Sequence, residues 1–397
     1  MSFDSETMPP HARLLIIDSS RLQYEHIFFN CGLYEFLLAA RNYSYTSVLC
    51  SDKTFPNYSN VYSKYLAFAF RSERKYFNTV SVFHSSLQKF CYFLFSLVRG
   101  SHFCFPNPGF DDLFLVSLAV ILFRRPSWIF LHGRITEKLI INSHHPFKRI
   151  LQANLCLVIS FLARTGLAIF ISLTPNDIFL STSFLKLLKC HKYIGHRIPS
   201  VWREFILTYY NISPKALIPS QLRSVVFPGA FVESRGSKSF IDLALEYRNY
   251  NTSCINFKVL GPFGDLQDVS SIRLASSGII KLSDSNYIEP QKFYSELMHA
   301  LIVFFCPDNK GYTYRASGVL LECLALGIPI LAPHTAITDQ YYKHYRLPIL
   351  FYRSICEACE IIESILNNPK FCKSLESKSR ISKSRLSSLQ FYNDSHL

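Results

Sequence analysis

Short, uninterrupted apolar runs recur along this chain, separated by stretches whose apolar residues fall at helical spacing. The first run lies in Arg13–Asp18, where Leu14, Leu15, Ile16 and Ile17 stand together, as a parallel strand buried on both faces requires. A polar loop over residues 19–26 follows. Residues 28–40 then place Phe29, Leu33, Phe36 and Leu37 on one helical face. Strand, loop and helix in this order open a doubly wound sheet. The pattern predicts a strand at 47–50, a helix over 80–97, a helix over 113–123 and a strand at 127–132. A helix over 146–163 and a strand at 167–173 come next. Residues 51–80, rich in Tyr and Ser, give no assignment.

Residues 200–222 hold Pro214, Pro219 and the pair Tyr209-Tyr210, and read as a connector. A second alternating series begins beyond them. Strands are expected at 224–227, 257–260, 278–282, 301–305 and 329–332. Helices are expected at 237–247, 290–299, 317–326 and 355–366. The fold class is therefore α/β, with two Rossmann-like doubly wound domains. The expected boundaries are 1–205, 206–375 and a tail, 376–397, packing back on the first domain. Such sheets bind ligands in the loops after their strands.

Composition supports globular domains. Of 397 residues, 49% are hydrophobic and only 18% charged, so disorder is excluded as a general state. The net charge is +14. Residues 1–210 carry 22 Lys and Arg against 12 Asp and Glu, and the remainder 20 against 16, so the excess is mostly N-terminal. That field favours an anionic partner: nucleic acid, phosphorylated substrate or acidic membrane surface. Neither a zinc-finger spacing nor an RNA-binding signature is present, so no nucleic-acid partner is expected. Residues 1–13 lack the apolar core of a secretory signal, and the run at 113–123 is too short to span a bilayer. The expectation is a cytoplasmic chain, with peripheral attachment to the inner face of the plasma membrane as an option. Twelve scattered cysteines then read as free thiols. Cys356 and Cys359 form a lone C-x-x-C without the second pair a zinc site wants, and are read as small buried hydrophobes. No metal site is expected.

The second half carries the specific motifs. Val226-Phe227-Pro228-Gly229 leads through Arg235-Gly236 to Lys258-Val259-Leu260-Gly261. The segment from Ser317 to Ile330 reads SGVLLECLALGIPI. In order and spacing, residues 224–335 resemble the C-terminal domain of retaining GT-B glycosyltransferases, often called group 1 or family 4. The first half agrees only in its alternation. The resemblance implies two domains facing a central cleft. The second would bind a nucleotide-sugar donor, and the first a glycan or lipid-linked acceptor in surface polysaccharide or glycolipid synthesis. It implies no cofactor and no catalytic metal. The alternative is a GT-B-like binder of nucleotide or glycan that has lost turnover.

The chemistry of the residues is consistent with that implication. Cleavage of a nucleotide sugar builds charge on the departing phosphate, which fixed donors stabilise. Ser317, Gly318 and Val319 open a helix whose N–H groups and dipole suit phosphate, with Gly318 permitting close approach. The plainer reading is a Ser N-cap and a packing glycine. Arg235 takes the place of the family's phosphate-binding cation after Gly229, with Lys238 a turn further on, although both also read as solvated surface charges. Glu322 is a lone carboxylate in an apolar helix, costly unless paired, and takes the place of the family's ribose-binding glutamate. His132, ending its strand, stands where similar enzymes face the acceptor with a histidine; a structural histidine reads equally well. Two positions depart from the family. Ala230 replaces an arginine and Tyr314 a glutamate, leaving the donor sugar open. Arg315 is the candidate to restore the lost charge.

Overall fold

The computed structural model describes residues 12–19, 27–40, 43–72, 75–106, 110–131, 157–158, 161–162, 167–172, 193–194, 201–212, 224–250, 255–261, 280–281, 288–306, 318–335, 338–339 and 349–368, with a few single positions between and after them. These fall into two compact units that divide at Ser200–Val201.

The first unit contains β1 (Arg13–Asp18), α1 (Ile27–Ala40), β2 (Tyr45–Ser51), α2 (Ser63–Phe70), β3 (Thr79–Phe83), α3 (Ser86–Val98), β4 (His102–Phe105), α4 (Phe110–Ser117), β5 (Ser127–Leu131), β6 (Ala168–Ser172) and β7 (Tyr193–Ile194). A helical turn at Phe55–Asn57 and a π-helical turn at Tyr58–Tyr62 lead into α2, and a second π-helical turn, Leu118–Leu122, extends α4. The strands form one parallel sheet in the order β3-β2-β1-β4-β5-β6-β7. Central β1 lies between β2 (Arg13↔Tyr45) and β4 (Leu14↔His102), and its run Leu14–Ile17 is at most 1% exposed.

Residues 80–97 are not one helix. They contain β3 and then α3, because Ser85 caps a new helix: its hydroxyl accepts from the Gln88 N–H while Gln88 Oε1 accepts from the His84 N–H. The connector contains the helix α5 (Trp202–Tyr209), whose apolar face, Trp202, Phe205 and Ile206, is buried. The unassigned 51–80 stretch is largely helical. Most of the helix expected over 146–163, and the tail 376–397, lie outside the described residues.

The second unit continues with β8 (Ser224–Pro228), a 3-10 turn (Glu233–Arg235), α6 (Ser237–Tyr250), β9 (Asn256–Leu260), β10 (Ile280–Lys281), α7 (Pro290–Met298), β11 (Ile302–Phe304), α8 (Gly318–Leu326), β12 (Ile330–Pro333), β13 (Ile349–Tyr352) and α9 (Ile355–Asn367). Its sheet is also parallel, in the order β10-β9-β8-β11-β12-β13. Phe227, Phe240, Phe257 and Phe304 interlock in its core with Ile362 and Ile365 of α9. Cys359 is buried there, but Cys356, one turn nearer the start of α9, is exposed. No group of metal-binding side chains occurs among the described residues.

Candidate donor site at the carboxyl end of β8

In the second sheet the strand order reverses beside β8, whose neighbours are β9 and β11. Ligands gather at such a switch point because the loops on either side diverge there. β8 ends at Pro228, and Gly229 follows with φ +91°, a left-handed conformation that glycine adopts without penalty. The Gly229 N–H donates to the Leu260 carbonyl (2.9 Å), and the ends of β8 and β9 press so closely that a Cβ on Gly261 would lie 2.0 Å from the Gly229 carbonyl oxygen.

The chain then turns tightly through Arg235 and reverses at Gly236 (φ +90°), whose N–H donates to the Glu233 carbonyl (2.8 Å). A Cβ at Gly236 would stand 2.0 Å from the backbone oxygen of Cys306, just past β11. The turn is therefore pinned against β11, and its cation is aimed. A Cβ on Gly229 would meet Arg235 Nη1 at 3.1 Å and Val319 Cγ2 at 3.8 Å. The guanidinium and the first turn of α8 thus converge on the bare face of Gly229. That juxtaposition brings together Gly229, Arg235 and Val319, with Gly318 the first residue of the same helix. Lys238 is exposed in the first turn of α6, and no described contact joins it to Arg235. Arg315, Ser317, Tyr314 and His132 lie outside the described residues.

Glu322 sits one turn beyond Gly318, on the same helical face. Part of the residue remains open to solvent, while its carboxyl group is enclosed. Burial pushes its pKa up to about 7; hydrogen bonds from Tyr294 and Trp202 pull the other way. The Tyr294 hydroxyl donates to Glu322 Oε1 (2.5 Å). Tyr294 is in turn stacked by Tyr210 (centroids 5.5 Å apart) and met edge-on by Trp202 (6.1 Å), and Gln291 donates to the Tyr210 carbonyl (3.2 Å). Sequence reasoning missed this bracket, because Tyr294 and Glu322 are 28 residues apart and nothing local marks them as partners.

The matching switch point of the first sheet, where β1 lies between β2 and β4, is built differently. Asp18, the last residue of β1, is fully buried and accepts from the Tyr58 hydroxyl (2.9 Å), which lies 2.7 Å from the Tyr34 hydroxyl. Tyr62 completes the cluster and receives a bond from Asn30 Nδ2 (3.1 Å). Beside it, Lys89 and Asp112 form a buried ion pair (2.9 Å), with the Ser19 hydroxyl donating to the same carboxylate oxygen (3.2 Å). Burial, with Asp18 adding to it, raises the pKa of all three phenols well above the usual value.

No protein-family model matches the chain, and no curated protein does. Solved structures do. The Anabaena protein HepE (Alr3699) in complex with UDP matches with a TM-score of 0.55 at 14% identity, over 95% of this chain and 94% of HepE. The trehalose-phosphate synthase (UDP-forming) of Burkholderia vietnamiensis matches at 0.54 and 10% identity, over 95% and 93%. TarM matches at 0.52 and 10% identity, over 98% and 97%. The fold is GT-B. Likeness at such low identity establishes architecture and leaves chemistry to the residues. Among the described residues of this GT-B chain, no helix is long and apolar enough to cross a membrane.

Proposed function

We propose that the chain is a glycosyltransferase that takes a sugar from a nucleotide donor held by its second unit. The observation that carries this reading is the convergence of Arg235 and the start of α8 on Gly229, with Glu322 one turn along the same helix. A diphosphate fits the guanidinium and helix N-terminus, both of which strengthen as the departing phosphate gains charge. The Glu322 carboxylate accepts from ribose hydroxyls. Arg315, Ser317 and Lys238 add donors around the phosphates, and Arg315 supplies the charge that Ala230 lacks. HepE, whose structures hold UDP or UDP-glucose, supports a uridine nucleotide as the first donor to try.

In the transfer, the bond from the anomeric carbon to the phosphate oxygen breaks and a new bond forms to the acceptor oxygen. The acceptor proton passes to the departing phosphate oxygen on the same face, which gives retention without a separate general base. The first unit takes the acceptor, a glycan or lipid-linked sugar of a surface polysaccharide or glycolipid, with His132 towards the transferred sugar. Arg235, Arg315 and the helix terminus carry the phosphate charge, so no metal is required and EDTA leaves turnover intact. The work is done at the cytoplasmic face.

Thermal unfolding with a panel of nucleoside diphosphates and their sugars tests the reading, since a ligand of the native state raises its midpoint by mass action. One nucleotide should stabilise the wild type, and Arg235→Ala and Glu322→Ala should each sharply reduce the shift at the same ligand concentration. Absence of any shift would overturn the donor site; a shift without sugar transfer or hydrolysis would leave a nucleotide binder that has lost turnover.

A further inference from the structure

Exposed large apolar side chains crowd the first unit, while the second has Leu245 and Tyr342 alone among those described. Scattered exposed apolar residues are ordinary on a protein surface; a contiguous set is not. α3 turns Phe93 and Leu97 onto the sheet, where they join Leu115, Val116 and Ala119 of the α4 region in one core. Its opposite face presents Leu87, Phe95 (53% exposed) and Val98 (83%) at helical spacing. The turn extending α4 does the same with Ile121 and Leu122 (67%), and Phe123 follows. The two ends adjoin: a Cβ on Gly100, just past α3, would lie 3.3 Å from Arg125 Nη2.

Cations ring this edge. The Arg99 guanidinium carbon lies 3.9 Å above the Phe95 ring, Arg124 is exposed, and Arg125 sits between the two ends. Neither α3 nor residues 118–125 contain an acidic residue. A second copy of the chain docked here about a two-fold axis would set these arginines against their own equivalents, with no carboxylate in either segment to answer them. An interface of acyl chains and phosphate headgroups answers both features: it accepts the apolar side chains and pairs with the guanidinium groups.

We propose that the C-terminal ends of α3 and of the Leu118–Leu122 turn form a docking edge for an anionic lipid bilayer. The inference deepens the lipid-linked-acceptor reading and rests on it for the choice of a bilayer as partner. Co-sedimentation of the full chain with vesicles tests it. The wild type should bind phosphatidylglycerol–phosphatidylcholine vesicles and bind pure phosphatidylcholine far less. Val98→Glu with Leu122→Glu, and separately Arg99→Glu with Arg124→Glu, should each weaken binding at least roughly tenfold. Raising the salt to about 0.5 M should erase most of the difference between the two lipids. Nucleotide stabilisation should persist in both double variants, which shows them folded. Wild type that ignores anionic vesicles, or double variants that bind like wild type, would overturn the docking edge while nucleotide stabilisation stands. So would a wild-type dimer that Val98→Glu with Leu122→Glu makes monomeric. Vesicle binding without any nucleotide response would instead sink the transferase reading and leave the edge intact.

Discussion

The carboxyl ends of β1 and β8 occupy equivalent places in their sheets, yet one is filled and the other is bare. At β1 the chain supplies its own occupants: Asp18 lies under Tyr58, Tyr34 and Tyr62, with the Lys89–Asp112 pair alongside. At β8 two glycines with positive φ remove side chains, and a cation is turned towards the gap. A buried charge is costly unless it is answered, and at β1 the chain's own donors meet Asp18 and Asp112. At β8 the guanidinium is half-exposed. The same topology thus holds a closed polar cluster in one unit and, on the reading proposed above, a donor site in the other.

The largest test of that contrast is Gly236→Ala. Its Cβ would collide with the Cys306 backbone, and alanine resists φ +90°, so the second unit should lose about 3 kcal/mol or more. Because Trp128 and Trp202 are the chain's two tryptophans and fall one in each unit, denaturant titrations on Trp→Phe backgrounds would report each unit separately. Loss in the Trp202 signal alone is the expected outcome. Next comes Arg235→Ala. It should cost nucleotide affinity about 2 kcal/mol, roughly 30-fold by calorimetry, with little change in unfolding. Equal loss of stability would mean that the cation is structural.

Glu322→Gln probes the enclosed carboxylate. Its pKa rises from 4.5 to about 7 on folding, so the native state holds a proton that the unfolded chain has released. Stability therefore falls as pH climbs from about 4.5 to about 7, then levels off. The glutamine variant should lose that slope and exceed wild type by about 2 kcal/mol above neutrality. Ribose hydroxyls prefer the ionised form, so wild-type affinity should rise with pH through the same window. The smallest effect is Tyr58→Phe, which removes one bond to Asp18. It should destabilise the first unit by about 1 kcal/mol and leave nucleotide binding untouched. A change in nucleotide affinity would show that the filled end also serves the donor.

The bare end was far more legible in the sequence than the filled one. Gly229, Arg235, Gly236, Gly318 and Glu322 lie in ordered local motifs, and backbone demands such as positive φ leave glycines as their mark. Asp18, Tyr34 and Tyr58, and likewise Lys89 and Asp112, meet only through long-range packing, and their spacing carries no period. Elements divided in the same way. Apolar runs such as Leu14–Ile17 announce central strands. The short edge strand β13 and the four-residue β4 do not, and α5 was hidden by the prolines after it. The capping box at Ser85 and Gln88 was a readable signal for separating β3 from α3, which apolar periodicity alone runs together.

The strand order also sets a timetable. β1 precedes the other described strands of its sheet along the chain but sits in the sheet's interior, and its second neighbour, β4, begins only at His102. β8 likewise waits from Ser224 until Ile302 for β11. Pairings so distant along the chain form slowly, and a buried interior strand of each unit spends that interval half-covered. Pulsed hydrogen exchange during synthesis should find the amides of residues 14–17 gaining full protection only after β4 has emerged.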